Sequence, residues 1–77
     1  MKVKLTGEFA TFTGRQEVEI YGPTNIKQLL AGLDNSYPNH GWDSCNVVIN
    51  GVMYVDSWFQ PINDDDEVVI MPSIEGG

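Results

Sequence analysis

Four successive apolar residues, Val68, Val69, Ile70 and Met71, followed at once by Pro72, constrain this chain more than any other stretch. Three of the four are β-branched, and so short an apolar run reads as a buried strand. Pro72 has no N–H to donate to a ladder, so pairing is expected to end there. Five residues follow: Ser73, Ile74, Glu75, Gly76 and Gly77. Glycine is common enough that two of them close roughly one chain in 200, so the pair is informative only through its context. Here it closes a short tail beyond the last strand. Residues without side chains can thread a channel too narrow for any other, which suits a carboxylate presented to a partner's active site. A frayed terminus or an end cut in a glycine linker would look the same.

What that strand can pack against follows from the rest of the chain. Seventy-seven residues allow one domain, which buries roughly 60% of the surface its unfolded chain exposes. Residues 2 to 9 alternate, with Val3, Leu5 and Phe9 opposed to Lys2, Lys4, Thr6 and Glu8, as in a half-buried strand. Ala10 to Gly14 is turn material. Gln16 to Tyr21 alternates again, so an antiparallel hairpin is predicted. Gly22-Pro23 breaks the strand and Thr24 is a good helix N-cap. Ile26, Leu29, Leu30 and Leu33 then recur at the spacing of one buried stripe, predicting a helix over about residues 25 to 34 despite the weakening effect of Gly32. Asp34-Asn35-Ser36 and Tyr37-Pro38 should end it, leaving residues 35 to 44 as a loop. Asn46 to Asn50 is a short strand, Asn50-Gly51 favours a tight two-residue turn, and Val52 to Tyr54 returns. Residues 56 to 66 are irregular, and Asn63 to Asp66 is a solvated turn.

Strand, strand, helix, strand, strand, strand in one small domain describes an α+β roll, with one helix covering one face of a sheet. That geometry turns the apolar run into a puzzle, because only alternate residues can face the helix. If Val68 and Ile70 do, Val69 and Met71 point outward, joined by Val48 from the neighbouring strand. An apolar patch at the root of the tail is a candidate docking surface, unless Trp42, Trp58 or Phe59 folds over it.

Composition narrows the partners. The net charge is −7, with Lys2, Lys4, Arg15 and Lys27 as the only cations, so nucleic acid and anionic membrane are poor partners and a basic protein surface is a better one. One cysteine, Cys45, excludes an internal disulfide and reads as a small buried hydrophobe. His40, the one histidine, is expected in a solvated loop, and no metal site is expected. No signal peptide or membrane span is apparent, so the cytoplasm is the expected compartment.

Taken together, several segments resemble the ubiquitin-like sulfur carriers of the MoaD/ThiS type. These are Phe9-Ala10, Gly14 to Glu19, Thr24 with the Leu29-Leu30 helix ending at Tyr37-Pro38, Val48-Ile49-Asn50-Gly51, Pro61 to Val68 and Gly76-Gly77. Their order and spacing carry the resemblance, and the longer first hairpin is more like the small subunit of molybdopterin synthase than the thiamine carrier. The chain departs from the family pattern at Asp65, where glycine is usual, and at Met71 and Ser73, where an aromatic residue and a second proline are common. The resemblance implies a β-grasp (ubiquitin-like) roll. In it a mixed sheet of four to five strands has its first and last strands parallel in the middle, over residues 1–71, and residues 72–77 form a flexible tail.

The resemblance also implies a carrier rather than an enzyme. Gly77 would be adenylated by a ubiquitin-activating-like adenylyltransferase and converted to a thiocarboxylate that donates sulfur in cofactor biosynthesis. A larger synthase subunit is a second implied partner. Residues Pro72, Ser73, Ile74, Glu75 and Gly76 would present Gly77, and Val69, Met71 and Val48 would dock the enzyme. The chain has no phosphate-loop pattern and few cations, so ATP and magnesium belong to the partner and no cofactor is expected on this chain. Two alternatives use the same residues: a modifier whose Gly77 ends on target lysines, and a non-conjugating β-grasp interaction domain such as those associated with phage-tail assembly.

Overall fold

The computed structural model describes residues 1–73. In chain order the elements are β1 (Lys2–Leu5), α1 (Glu8–Thr13), β2 (Glu17–Glu19), α2 (Ile26–Ser36), a 3-10 turn at Trp42–Ser44, β3 (Cys45–Ile49), β4 (Val52–Tyr54) and β5 (Val68–Pro72). The five strands form one mixed sheet in the order β2-β1-β5-β3-β4. β1 and β5 are parallel neighbours at its centre, with Val3 opposite Val68 and Leu5 opposite Ile70. Antiparallel pairs flank them: β2 on β1, β3 on β5 and β4 on β3. This is the β-grasp arrangement that the resemblance implied.

Helix α2 buries the expected stripe, Ile26, Leu29, Leu30 and Leu33, against Val3, Leu5, Val18, Val47, Ile49, Val68 and Ile70 of the sheet. Its N-terminus is held by the segment read as irregular. Main-chain carbonyls of Gln60 and Trp58 accept from the N–H groups of Ile26 and Lys27, and Asn25 Oδ1 accepts from Gln28 N. Three orphan helix donors are satisfied in this way. The N-cap is therefore Asn25, not Thr24, whose N–H and hydroxyl both bond to Gln28 Oε1 instead. At the other end the helix continues past Asp34 to Ser36. A Cβ at Gly32 would lie 3.2 Å from Ile20, so the residue that weakens the helix also lets it lie close to the end of β2.

The β3–β4 hairpin turns at Asn50-Gly51 with φ of 51° and 83°, the left-handed pair that a two-residue hairpin needs. Asn50 also clips the turn before β5. Its Nδ2 donates to Asp66, its Oδ1 accepts from Glu67 N, and its own N–H donates to Glu67 O.

Four expectations are corrected. The first strand stops at Leu5 rather than running to Phe9, and the supposed turn Ala10 to Gly14 belongs mostly to helix α1, closed where Gly14 in the left-handed region donates to Ala10 O. Residues 35 to 44 are not all loop, because α2 takes the first two and the 3-10 turn the last three. Trp42 does not fold over the outer face of the sheet. It is 2% exposed, stacks on Phe9 with ring centroids 4.7 Å apart, and donates from Nε1 to Tyr37 O. Pro72 is inside β5 as its last residue, opposite Cys45, where a missing N–H costs least.

Candidate functional site

The outer face of the sheet, away from α2, carries the residues expected to dock a partner. Within β5 the side chains alternate: Val68 and Ile70 are fully buried in the core, while Val69 and Met71 are half-buried on the opposite face. Register fixes their neighbours. Val48 lies opposite Val69, and Asn46 opposite Met71. The row continues outward to Met53, opposite Val48 and 50% exposed. Toward the opposite edge it passes from Val69 to Lys4 and on to Glu17. One line across the sheet therefore reads Met53, Val48, Val69, Lys4, Glu17: apolar over its first three positions, then charged.

The aromatic residues that could have covered this face lie elsewhere. Trp42 is in the core, Trp58 lines a cleft with Lys27, Leu30 and Ala31 of α2, and Phe59 sits beneath Lys27, whose Nζ is 5.7 Å from the ring centroid. All three are on the helix side. Met53 is the patch residue that the sequence reading left out. Its signal was present, because a two-residue turn at Asn50-Gly51 puts residue 53 opposite residue 48.

At the end of β5 the chain leaves the sheet between two neighbours. Thr6 donates to Ile70 O from both its N–H, at 3.1 Å, and its hydroxyl, at 2.9 Å. On the other side Pro72 pairs with Cys45. Ser73 then borders an open polar hollow of about 490 Å3, whose wall includes the carboxylates of Glu8, Asp43 and Asp56. Tail residues Ile74, Glu75, Gly76 and Gly77 lie outside the described residues.

Groups with independent chemistry are few. Burial pushes the Cys45 thiol up to about 12, and its Sγ donates to Trp42 O at 2.8 Å, so it is a neutral, partly buried group at physiological pH. His40 is not solvated as expected. It is half-buried, stacked on Phe12 at 5.0 Å and edge-on to Trp42 at 6.3 Å. Asp66 is held below the usual carboxylate range by the Asn63 N–H and then by the Asn50 amide, which marks a pinned turn. Among the described residues no group of three or more His, Cys, Asp or Glu could hold a metal ion, and no helix is long and apolar enough to cross a membrane.

A ubiquitin-like β-grasp body with an apolar outer face at the root of its C-terminal segment defines a class of small carriers and modifiers. Comparison with known proteins places the chain within that class. Residues 3–77 match the model of the ThiS family, so the chain belongs to the ThiS family of ubiquitin-like sulfur carriers. It is 32% identical over 75 residues to the molybdopterin synthase sulfur carrier subunit of Pyrenophora tritici-repentis (strain Pt-1C-BFP), covering 88% of this chain and 80% of that protein. Among solved structures it is similar to small archaeal modifier protein 1 of Methanosarcina acetivorans, with a TM-score of 0.75, 26% identity, and coverage of 99% of this chain and 94% of that one. It is also similar to a Pyrococcus furiosus protein assigned as molybdopterin converting factor subunit 1, with a TM-score of 0.76, 27% identity and 95% coverage of both.

Proposed function

We propose that this chain is a sulfur carrier whose Gly77 carboxylate is activated by a separate adenylating enzyme and converted to a thiocarboxylate. The observation that carries the reading is the family match over residues 3–77, which runs from the central strand pair through Gly76-Gly77. A carboxylate is a poor acyl donor, because its charge is delocalised and oxide is a bad leaving group. In the proposed first step a Gly77 oxygen attacks the α-phosphorus of ATP and pyrophosphate departs. In the second, a hydrosulfide equivalent attacks the acyl carbon and AMP departs with the electron pair of the broken C–O bond. ATP and magnesium belong to the partner, since the chain contributes no phosphate loop and few cations. The carrier is thus a substrate in its own activation, not the catalyst.

Each described feature has a part in this reading. Met53, Val48, Val69 and Met71 dock the activating enzyme, and the Glu8, Asp43 and Asp56 wall beside Ser73 meets cations around its entrance. Pro72 anchors the segment as the last residue of β5, Ser73 to Gly76 present Gly77 to the active site, and the cytoplasm is the compartment proposed for the reaction. A molybdopterin-type acceptor, with a larger synthase subunit as second partner, is favoured over a thiamine-type one by the likeness to the Pyrenophora carrier subunit. Extending the chain by one alanine, or replacing Gly77→Val, should abolish adenylation while leaving the fold unchanged by circular dichroism. Adenylation of either variant at the wild-type rate would sink the reading.

A second reading has its own support in the likeness to an archaeal modifier protein. In it the activated Gly77 acylates a lysine amine of a target. Isopeptide-linked adducts in lysate that disappear with the Gly77→Val variant would favour it over sulfur transfer.

A further inference from the structure

The chain does not simply run off the end of the sheet at Pro72. Gly7, in the connection from β1 to α1, lies so close that a Cβ placed on it would sit 2.7 Å from Pro72 Cγ and 3.2 Å from Cδ. Its φ of 57° with ψ of −135° is a backbone state that glycine alone adopts readily. The preceding residue, Thr6, is tied twice to Ile70 O, so the glycine is stitched to the strand whose last residue it touches. Opposite, Cys45 closes the same residue in from β3. Pro72 is thereby wedged between two fixed backbones, with its own φ locked by the ring. Ser73, the next residue, leaves the sheet from that fixed point.

We propose that Gly7 is a positioning residue for the C-terminal segment: by admitting the Pro72 ring against its bare Cα, it sets the direction in which the chain leaves the body, and so the approach of Gly77 to an activating enzyme. The second half rests on the sulfur-carrier reading, while the first half does not. Gly7 touches no reacting atom. It acts through Pro72, so its loss should lower kcat for adenylation and leave KM for the carrier near its wild-type value, because the outer sheet face still docks. A displacement on the order of 1 Å at the root of a segment that must reach a reactive phosphorus is expected to cost roughly ten- to a hundred-fold in kcat.

The experiment is a double-mutant cycle between Gly7→Ala and Pro72→Ala, with two readouts on each variant: the backbone amide resonance of Ser73 without any enzyme, and kcat and KM for adenylation. Alanine at position 7 strains the backbone and collides with the ring, whereas alanine at position 72 removes Cγ and Cδ from the collision. Gly7→Ala alone should shift Ser73 strongly and depress kcat, and the same change in the Pro72→Ala background should do neither to the same degree. The inference is overturned if Ser73 does not move in Gly7→Ala, or if the Gly7→Ala defect is equally large in both backgrounds. Should Gly7→Ala alone fail to fold, the Pro72→Ala pair carries the test: the double variant must then recover the fold, because the collision with Cγ and Cδ is gone, and its failure to recover overturns the inference. If the wild-type chain is not adenylated by an active enzyme, the carrier reading fails, and the Ser73 resonances still decide whether Gly7 directs the exit.

Discussion

Val68 and Val69 are identical side chains one peptide apart, and the structure assigns them to opposite faces of the sheet. Truncating each to alanine therefore isolates the effect of the face. Val68 is 1% exposed and packed within the core. Removing two methyl groups loses about 1.6 kcal/mol of transfer free energy at about 0.8 per group, and incomplete collapse of the cavity raises the cost to about 2–3 kcal/mol. Val69 is half-buried on the outer face, so the same truncation leaves no enclosed void and should cost less than about 1 kcal/mol. A domain of this size has a total stability of about 4–12 kcal/mol. With about 4–8 °C of melting temperature per kcal/mol, Val68→Ala should melt about 10–20 °C below wild type and Val69→Ala within about 8 °C of it. Thermal unfolding followed by circular dichroism gives both values. Binding of the activating enzyme below both midpoints supplies the complementary reading: Val69→Asp should weaken it at least about ten-fold, while folded Val68→Ala binds as wild type. Equal destabilisation by the two alanines, or a larger loss at Val69, would refute the assignment of faces and with it the docking patch.

Other consequences follow from single contacts. Replacing Trp42→Phe keeps an aromatic ring against Phe9 but leaves Tyr37 O without its donor, so it should cost about 1–3 kcal/mol in denaturant unfolding. Asp66 should titrate below the ordinary carboxylate range in a carboxyl NMR experiment, and Asn50→Ala should move it back upward. Because its folded pKa is depressed, its stabilising contribution is present above the unfolded value and is lost as pH falls through the folded one. Cys45 should resist a thiol reagent at pH 8 in the folded protein and react on denaturation. Its pKa is raised to about 12, so its contribution is intact below the unfolded thiol pKa and declines as pH rises from there toward about 12, a slope that Cys45→Ala should flatten.

Periodicity was enough where one face of an element is buried and the other is not. The α2 stripe, the alternation of β5 and the Asn50-Gly51 turn were all legible because each is a local rule acting on adjacent residues. The reading failed where two local rules agreed on the wrong answer. Phe9 continues the alternation of Val3 and Leu5, so a strand through residue 9 looked consistent, yet Gly7 turns the chain and Phe9 reaches the core from a helix. The signal for that helix was Gly14, a left-handed C-cap after Glu8 to Thr13. Thr24 and Asn25 are both good caps, and Gln28, three residues beyond Asn25, was the cue that favoured the second. Trp42 could not be assigned to the core from sequence, because the ring it stacks on, Phe9, belongs to a distant segment brought to it only by the fold. For the same reason the neighbours of Val69 across β1 and the contact of Gly7 with Pro72 were out of reach. Both depend on the parallel pairing of strands more than sixty residues apart in sequence.

The most direct test of the central claim is intact-mass spectrometry of the chain after incubation with its host's adenylating enzyme, ATP and a sulfur donor. The account predicts a species in which one oxygen is replaced by sulfur, mapping to Gly77 on fragmentation and absent when ATP is withheld. If neither that species nor an acyl-adenylate forms with an enzyme that activates another carrier in the same assay, the chain is not a sulfur carrier for that enzyme's pathway, and the claim is contradicted.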